Sequence, residues 1–248
     1  MSLSKVIIVG GHGKVALRLA GLLAKTGKHA VTSIIRTESQ VPDLKAVSDK
    51  IEPLILSIED ASVADFTKVF EGQEVIVWSA GAGGAGGPER TRKVDYEGAV
   101  KVYDAIETVQ GAKPRLVLVS AIDVGNPDVI PPHYNDADIA MRKRVRTVIA
   151  HYMEMKYLAD KDLVKRTAFK WTILRPGGLT LEPGTGKADI GRTHITTQVS
   201  RDDVALALSL LVDRPDAAGL AIDMVGGDKS VPDQVEDFIK KGETDWLG

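Results

Sequence analysis

Two tyrosine–lysine pairs have the four-residue spacing that places both side chains on one face of a helix: Tyr152 with Lys156, and Tyr157 with Lys161. A phenol can protonate an oxygen that develops negative charge, and a neighbouring ammonium lowers its pKa from about 10 by stabilising the phenolate. A residue five positions further along a helix is turned by about 140°, so the two pairs cannot face one site. Spacing alone does not distinguish them.

A glycine-rich turn follows the first predicted strand. The sequence Gly10-Gly11-His12-Gly13-Lys14-Val15-Ala16 fits two spacings, G-x-x-G-x-x-A from Gly10 and G-x-G-x-x-A from Gly11. In either register the glycines allow a tight turn and a close approach of the backbone to a pyrophosphate at a helix N-terminus. An ordinary strand-to-helix turn is the alternative, but the flanking strand and amphipathic helix favour nucleotide binding. We therefore predict that a dinucleotide is bound by Gly10, Gly11, His12, Gly13, Lys14 and Val15.

The end of the second predicted strand carries Arg36. A site that prefers NAD usually has an acidic residue there, about 20 residues after the turn, to accept the ribose 2′-hydroxyl. A guanidinium can instead pair with the 2′-phosphate of NADP. Arg36 therefore favours NADP, as NADPH, and makes NAD the less favoured cofactor. A solvated surface arginine is an alternative, and Glu38 would supply the acid if the strand ended two residues later.

Short β-branched runs alternate with longer amphipathic stretches, which is typical of βαβ units in a parallel sheet covered on both faces. The strand runs are nearly continuously hydrophobic, as expected when both faces are buried. The predicted strands are Val6–Val9, Ala30–Ile35, Leu54–Leu56, Val75–Trp78, Leu116–Val119, Trp171–Leu174 and Leu220–Val225. The predicted helices are Val15–Ala24, a segment from Leu44 onward, Val63–Phe70, Thr91–Val109, Tyr152–Val164, Asp202–Val212 and Pro232–Lys240. We predict an α/β fold with a doubly wound parallel sheet, the Rossmann fold, as one domain over residues 1–248.

Two stretches interrupt this alternation: the glycine-rich run 81–87 and the proline-bearing loop 122–132, which leads into a charged segment. Doubly wound folds bind ligands at the carboxyl ends of their strands, and long loops there are often functional. We expect segments of about residues 122–150 and 177–200 to face a small-molecule substrate. The run His133-Tyr134-Asn135 could contact it, although exposed loop polarity explains these residues equally well.

The composition excludes several function classes. The 248 residues include no cysteine, so there is no thiolate chemistry or disulfide framework, and a reducing, cytoplasmic location is expected. No apolar run approaches the roughly 20 residues of a membrane-spanning helix. The net charge of −2 argues against binding to nucleic acid, and the basic cluster 142–146 fits a solvated face better than a phosphate patch. The five histidines lack metal-ligand spacing, so no metal site is expected.

Six further motifs follow the glycine turn in order. They are Trp78-Ser79-Ala80-Gly81-Ala82-Gly83, Val94-Asp95-Tyr96-Glu97-Gly98-Ala99, Leu118-Val119-Ser120-Ala121, Tyr152-Met153-Glu154-Met155-Lys156 with Asp160, Arg175-Pro176-Gly177-Gly178-Leu179, and Val199-Ser200-Arg201-Asp202-Asp203-Val204-Ala205. With them, the chain resembles the short-chain dehydrogenase/reductase superfamily, specifically its atypical NAD(P)H-binding, NmrA-like branch. The resemblance spans nearly the whole length.

This resemblance implies roles for individual residues. Tyr152 would be the general acid, Lys156 would tune it and hold the nicotinamide ribose, and Ser120 would polarise the substrate carbonyl. Tyr157 would then contribute packing or surface. By the same resemblance, the segment 80–84, with Ala80, Gly81 and Ala82, passes near the cofactor ribose or phosphates. The resemblance also implies two further groups of cofactor-binding residues. Pro176, Gly177 and Gly178 would lie near the nicotinamide, and Ser57 and Ile58 would lie beside the adenine.

The sequence thus predicts an NADPH-dependent oxidoreductase that transfers a hydride to a small carbonyl-type or quinone-type acceptor. A non-catalytic regulatory protein that senses NADP(H) is the alternative. A nucleotide-sugar epimerase or dehydratase ranks third, because it needs a larger substrate domain than the roughly 70 residues after Gly178 provide. No nucleic-acid or membrane partner is expected, and the oligomeric state stays open.

Overall fold

The computed structural model describes residues 2–83 and 86–248, which form alternating strands and helices. Gly84, the last residue of the segment expected near the cofactor, lies outside them. The strands are β1 (Ser4–Val9), β2 (His29–Ile35), β3 (Ile51–Ile55), β4 (Val75–Trp78), β5 (Arg115–Val119), β6 (Trp171–Pro176), β7 (Leu179–Thr180), β8 (Lys187–Ile190), β9 (Val199–Ser200) and β10 (Ala221–Ser230). The α-helices are α1 (Lys14–Thr26), α2 (Val41–Val47), α3 (Val63–Phe70), α4 (Gly87–Thr91), α5 (Ala99–Thr108), α6 (Asp136–Val148), α7 (Ala150–Leu163), α8 (Arg201–Val212) and α9 (Val231–Lys241). A π-helical turn, Arg92–Gly98, joins α4 to α5, and short 3-10 helices cover Glu38–Gln40 and Pro215–Ala217.

Within the described residues, eight strands form one sheet in the order β3-β2-β1-β4-β5-β6-β10-β8. The neighbouring pairs are parallel from β3 to β10, and β8 runs antiparallel to β10. The first six positions have the doubly wound order of a Rossmann fold, so the predicted fold class is confirmed. The direction of chain progression reverses between β1 and β4, which places a ligand crevice at their carboxyl ends.

The hydrophobic core lies on both faces of this sheet. Val6 and Ile8 of β1 pack in one cluster with α1, α8 and α9, whereas Ile7 and Val9 pack in a second with α3, α5 and α7. Successive side chains of a strand point to opposite faces, so a strand buried on both faces must be apolar at every position. Over residues 2–83 and 86–248, no helix combines the length and the apolarity needed to cross a bilayer.

Helix α6 is the main departure from the predicted elements, which had no helix between residues 110 and 150. Asn135 and Asp138 form a capping box at its start, with both side chain-to-backbone hydrogen bonds at 3.0 Å. The buried positions within α6 are Asp138 and Arg142, both charged. Because both buried positions of α6 are charged, its apolar periodicity is weaker than the pattern from which helices are usually predicted.

The basic cluster 142–146 is not a solvated face, so that expectation is wrong for two of its arginines. Arg142 donates from Nη1 to Asp123 Oδ1 at 2.6 Å, and Arg146 donates from Nε to Asp123 Oδ2 at 3.0 Å. Asp123 has a φ of 62°, a conformation that L-residues rarely adopt. The two guanidinium groups therefore hold the strained corner of the loop after β5. Lys143 and Arg144 are exposed.

Candidate functional site

A cavity of about 240 Å³ lies at the carboxyl ends of β1, β2 and β4. We call it the crevice, because it occupies the position at which doubly wound folds bind dinucleotides. Its lining brings together seven of the residues predicted to bind the cofactor, which are Gly10, His12, Gly13, Arg36, Ile58, Ala80 and Gly81.

The turn between β1 and α1 requires glycine for packing. Gly10 has a φ of 82°, and a Cβ atom there would lie 2.6 Å from the Cα atom of Ala80. A Cβ atom on Gly11 would lie 2.6 Å from Cβ of Ser33, so Gly11 is needed for the contact with β2 and does not line the crevice. Glycine thereby lets the backbone of β1 approach the segment after β4.

The N-terminus of α1 faces this turn with unpaired donors. Gly13 precedes the helix and gives it no side-chain cap, and the first turn contains no acidic residue. The first N–H groups of a helix have no intrahelical acceptor and can hold a phosphate. Lys14 and Val15 are the first two residues of α1, so their main-chain N–H groups can contribute such donors. The Lys14 side chain is exposed and Val15 is buried in the core. His12 Nε2 lies 2.6 Å from Asp43 Oδ2.

Arg36 lies directly after β2, which ends at Ile35 as predicted, and it lines the crevice with Glu59 and Arg90. The Arg36 Nη1 atom is 3.9 Å from Glu59 Oε1, and Arg90 donates from Nε to the same oxygen at 3.1 Å. Two guanidinium groups and one carboxylate leave one net positive charge among these three. Glu38, the alternative acid, is not among the described residues that line the crevice.

Ser57 and Ala82, which were also expected near the cofactor, do not line the crevice. The Ser57 hydroxyl donates to Asp60 Oδ2 at 2.7 Å in the turn after β3. The amide of Ala82 donates to Asp95 Oδ2 at 2.9 Å. Both residues therefore serve local contacts in loops that border the crevice.

A second cavity, of about 410 Å³, contains five of the predicted site residues, which are Ser120, Tyr152, Pro176, Gly177 and Gly178. Much of the remaining wall is aliphatic or thioether, formed by Ile122, Met141, Val145, Ile149, Met153, Leu179 and Ile195. We refer to it as the apolar cavity. Residues from both expected substrate-facing segments line it, but the run 133–135 does not. Instead, Asn135 caps α6 and the rings of His133 and Tyr134 pack edge-on, 4.9 Å apart.

Tyr152 and Lys156 are adjacent on α7. The Lys156 Nζ atom lies 5.9 Å from the centre of the Tyr152 ring. Burial raises the pKa of Tyr152, Lys156 lowers it, and Asp95 and Asp160 raise it further, so that the net shift is upward. The expected lowering by Lys156 is present, but burial outweighs it. Tyr152 therefore carries its proton at neutral pH, as a proton donor must.

Lys156 is buried and lines neither cavity. Its Nζ atom donates to the main-chain oxygen of Val119 at 3.3 Å and lies 3.5 Å from Asp95 Oδ1. Burial opposes its charge, but the pKa of Lys156 is raised overall by Tyr152, Asp95 and Asp160. Lys156 is therefore a fixed positive charge behind Tyr152.

The second pair, Tyr157 and Lys161, has a different environment. Tyr157 stacks on Trp246 with ring centres 6.0 Å apart, and Lys161 Nζ lies 5.2 Å from the Tyr157 ring centre. Tyr157 lines neither of the two cavities described above, whereas Tyr152 lines the apolar cavity.

Asp95 connects the two parts of the site. It lies in the π-helical turn, a rare conformation that is frequent at functional sites. Its Oδ2 atom accepts from Ala82 in the loop after β4, and its Oδ1 atom faces Lys156. A Cβ atom on Gly81 would lie 2.9 Å from Asp95 Oδ1. Asp95 therefore couples the loop at the crevice to the charge behind Tyr152.

Ser120 directly follows β5 and donates from its hydroxyl to Asp160 Oδ2 at 2.6 Å, with both residues buried. Burial raises the pKa of Asp160 to about 6, although Ser120, Arg175 and Lys156 act to lower it. While Asp160 is ionised, the Ser120 hydrogen points to the carboxylate. This differs from the predicted role of Ser120 as a donor to a carbonyl, which requires that hydrogen.

Several residues of the site were not assigned by sequence reasoning. Asp95, Asp160 and Arg201 stand inside motifs that carried the resemblance, so their positions were marked but not their roles. Glu59 and Arg90 follow no recognisable pattern and meet only in the folded chain. Among residues 2–83 and 86–248, no group of three or more acidic, histidine or cysteine side chains is arranged to hold a metal ion.

A model of a family described as NAD(P)H-binding matches residues 10–215, from the first glycine of the turn to beyond α8. The chain belongs to this NAD(P)H-binding family. The resemblance found in the sequence is thereby confirmed. UPF0659 protein C216.03 of Schizosaccharomyces pombe is 39% identical over 246 residues, which cover 97% of each chain.

Two solved structures are similar to this member of the NAD(P)H-binding family over nearly its whole length. One, named as an NAD-dependent epimerase/dehydratase from Bacillus halodurans, has a TM-score of 0.78 and 30% identity, covering 94% of this chain and 99% of that one. The other, the oxidoreductase ylbE from Lactococcus lactis, has a TM-score of 0.78 and 26% identity, covering 95% and 97%. The family assignment establishes nicotinamide-dinucleotide binding and leaves the choice between NADP and NAD open.

Proposed function

We propose that this protein is an NADPH-dependent oxidoreductase that reduces a small carbonyl-type or quinone-type acceptor. The observation that carries the proposal is the placement of Tyr152 in an apolar cavity with the Lys156 ammonium 5.9 Å from its ring. Ala80, which lines the crevice, follows β4, and Ser120, which lines the apolar cavity, follows the neighbouring strand β5. The two cavities are therefore lined in part by residues that follow adjacent strands. A cytoplasmic location, inferred from the absence of cysteine, is part of the proposal.

The crevice suits a dinucleotide for two physical reasons. The uncapped N-terminus of α1 offers unpaired N–H groups, and Gly10 and Gly13 leave no Cβ atom at two positions of the turn that line the crevice. Arg36 and Arg90 leave one net positive charge with Glu59, which supports a 2′-phosphate and hence NADPH. Gly10, His12, Gly13, Arg36, Ala80 and Gly81 would hold it.

The bound reduced nicotinamide supplies a hydride, and the overall reaction converts NADPH, a proton and a carbonyl into NADP⁺ and an alcohol. Tyr152 donates its phenolic proton to the carbonyl oxygen as negative charge develops there. Lys156 stabilises the phenolate that remains, and solvent returns the proton. The hydrogen of Ser120 becomes available to the same oxygen when Asp160 is protonated, and the pKa of Asp160, about 6, brings that state close to neutral pH.

An epimerase function is suggested by the name of the B. halodurans relative. The largely aliphatic wall of the apolar cavity supports a less polar ligand than a sugar nucleotide, whose hydroxyl and phosphate groups need polar partners. This favours reduction of an acceptor over epimerisation.

The test measures NADPH oxidation by the full chain with a panel of aldehydes, ketones and quinones. The loss of NADPH absorbance reports the reaction. We expect at least one acceptor to be turned over. If NADPH binds and no acceptor is reduced, the proposed oxidoreductase activity is contradicted and the alternative of an NADP(H)-sensing protein is favoured.

A further inference from the structure

Arg201 is the one cation among the described residues that line the apolar cavity. It is the first residue of α8 and is half-buried. Its two hydrogen bonds to described residues both leave from Nη1, to the main-chain oxygens of Leu179 at 3.1 Å and Thr180 at 2.8 Å. Within residues 2–83 and 86–248, its Nε and Nη2 atoms have no hydrogen-bond partner, and the guanidinium forms no ion pair.

The acidic residues beside Arg201 are engaged elsewhere. Asp202 pairs with the Arg18 guanidinium, and Asp203 accepts from the Ser200 hydroxyl at 2.8 Å. The carboxylate of Asp123, the one acid in the cavity lining, is held by two arginines of α6. The charge of Arg201 is therefore anchored by neutral carbonyl groups and is not neutralised by a carboxylate among the described residues.

We propose that Arg201 binds the carboxylate of an amphipathic acceptor whose apolar body fills the cavity. This inference rests on the proposed function and names its substrate class. A guanidinium presents its Nε–H and Nη2–H groups side by side, which matches the two oxygens of a carboxylate. Because the lining supplies one cation, a monoanionic carboxylate fits it better than a dianionic phosphate. A half-buried cation without a counter-charge also gains more from an anionic ligand than a solvated one.

The first test measures binding without chemistry. Hexanoate and hexanamide differ in charge but not in their apolar chain, and each is titrated calorimetrically into the full-length protein saturated with NADP⁺. We expect hexanoate to bind at least about ten times more tightly than hexanamide, the effect typical of a charge-assisted hydrogen-bond pair. Arg201→Gln should remove this preference and leave hexanamide binding unchanged. Equal affinities for the two probes in the parent protein would overturn the inference.

Two further variants control this result. Arg144→Gln removes a positive charge from an exposed position of α6 and should keep the full preference for hexanoate. Arg201→Lys retains the charge without the planar fork and should give an intermediate preference. Because Arg201 also anchors β7, the variants are compared for NADP⁺ affinity and thermal unfolding. If Arg201→Gln does not fold, the parent comparison and Arg201→Lys decide, and an unchanged preference in Arg201→Lys contradicts the carboxylate fork.

The second test separates this inference from the proposed function. NADPH oxidation is measured with para-carboxybenzaldehyde and with benzaldehyde. We expect a KM at least about ten times lower for the carboxylated aldehyde in the parent and equal KM values in Arg201→Gln. Arg201-dependent hexanoate binding without turnover of either aldehyde would uphold the carboxylate site and count against the oxidoreductase. Turnover without any preference for the carboxylated aldehyde would overturn the proposed carboxylate site and support the proposed oxidoreductase activity.

Discussion

The hydroxyl of Ser120 donates a 2.6 Å hydrogen bond to the carboxylate of Asp160. Ser120 follows β5, whereas Asp160 lies on α7 four residues beyond Lys156 and eight beyond Tyr152. Residues at this spacing share a helix face, so the bond ties the end of the strand to the face that carries the tyrosine. The carboxylate is buried, and its Oδ1 atom has no hydrogen-bond partner among the described residues. Ionisation of Asp160 therefore costs free energy.

Asp160→Asn should alter how stability depends on pH. Burial raises the pKa of Asp160 to about 6, so between about pH 4 and pH 6 the folded state binds more protons than the unfolded state. The free energy of unfolding then falls as pH rises through this window. The asparagine variant lacks this contribution, and its stability relative to the parent should rise by on the order of 2 to 3 kcal/mol. Denaturant titrations at several pH values measure the difference.

Asp128→Asn is the matched control, because Asp128 is exposed. Its stability curve should run parallel to that of the parent. Parallel curves for Asp160→Asn as well would show that Asp160 does not titrate in this range.

Tyr152→Phe should lower kcat by at least about 100-fold and leave the dissociation constant of NADPH unchanged, because the phenol supplies the proton and not the binding contacts. Steady-state kinetics with an acceptor found in the panel measure the first quantity and fluorescence titration the second. Tyr157→Phe is the control, since Tyr157 belongs to the other tyrosine–lysine pair and stacks on Trp246. Equal rates for Tyr152→Phe and the parent would refute the role of Tyr152.

Arg36→Ala should weaken NADPH binding by about ten-fold or more and leave NADH binding unchanged, since the guanidinium is proposed to contact the 2′-phosphate alone. Fluorescence titration of both cofactors measures the ratio of dissociation constants. Arg144→Ala removes an equal charge from an exposed site and should keep the parent ratio. If the parent binds NADPH and NADH equally well, Arg36 does not select the cofactor.

Asp95→Asn should move the alkaline limb of the pH–rate profile to lower pH. Asp95 raises the pKa of both Tyr152 and Lys156, so its neutral replacement lets both lose their protons earlier as pH rises. Reduction needs the protonated phenol, and activity therefore falls sooner. Profiles of kcat/KM are compared for the parent, Asp95→Asn and the exposed control Asp128→Asn. A limb that stays in place in Asp95→Asn would show that Asp95 does not influence the ionisation that limits the rate.

Local patterns explain which features could be predicted. The glycines of the first turn, the apolar strands and the tyrosine–lysine spacing each depend on residues close together in the chain. The predicted end of β2 at Ile35, directly before Arg36, also agrees with the structure. The fold followed from the alternation of these patterns. The resemblance then selected Tyr152 over Tyr157, which spacing alone had not done.

Contacts between distant segments explain what was missed. Arg142 is buried against Asp123, 19 residues earlier, whereas the charge run 142–146 taken alone predicts a solvated face. The Ser120 hydrogen is directed to a carboxylate 40 residues away. Glu59, in the loop after β3, meets Arg36 after β2 and Arg90 of α4 only in the folded chain. None of these partners is determined by the spacing of neighbouring residues.

Helix α6 presents two rows of side chains with the same four-residue step. Asp138 accepts from the amide of Ile195, while Arg142 and Arg146 bind Asp123, so this row fastens the helix to the protein. The other row, Met141 and Val145 with Ile149 directly after the helix, lines the apolar cavity. Because the fastening and the cavity surface use different residues, the size and shape of the cavity can change by substitution on one row while the helix stays in place. Helix α6 thus separates the residues that attach it from those that shape the cavity, so the cavity can be reshaped while Tyr152 and the charges around it stay in place.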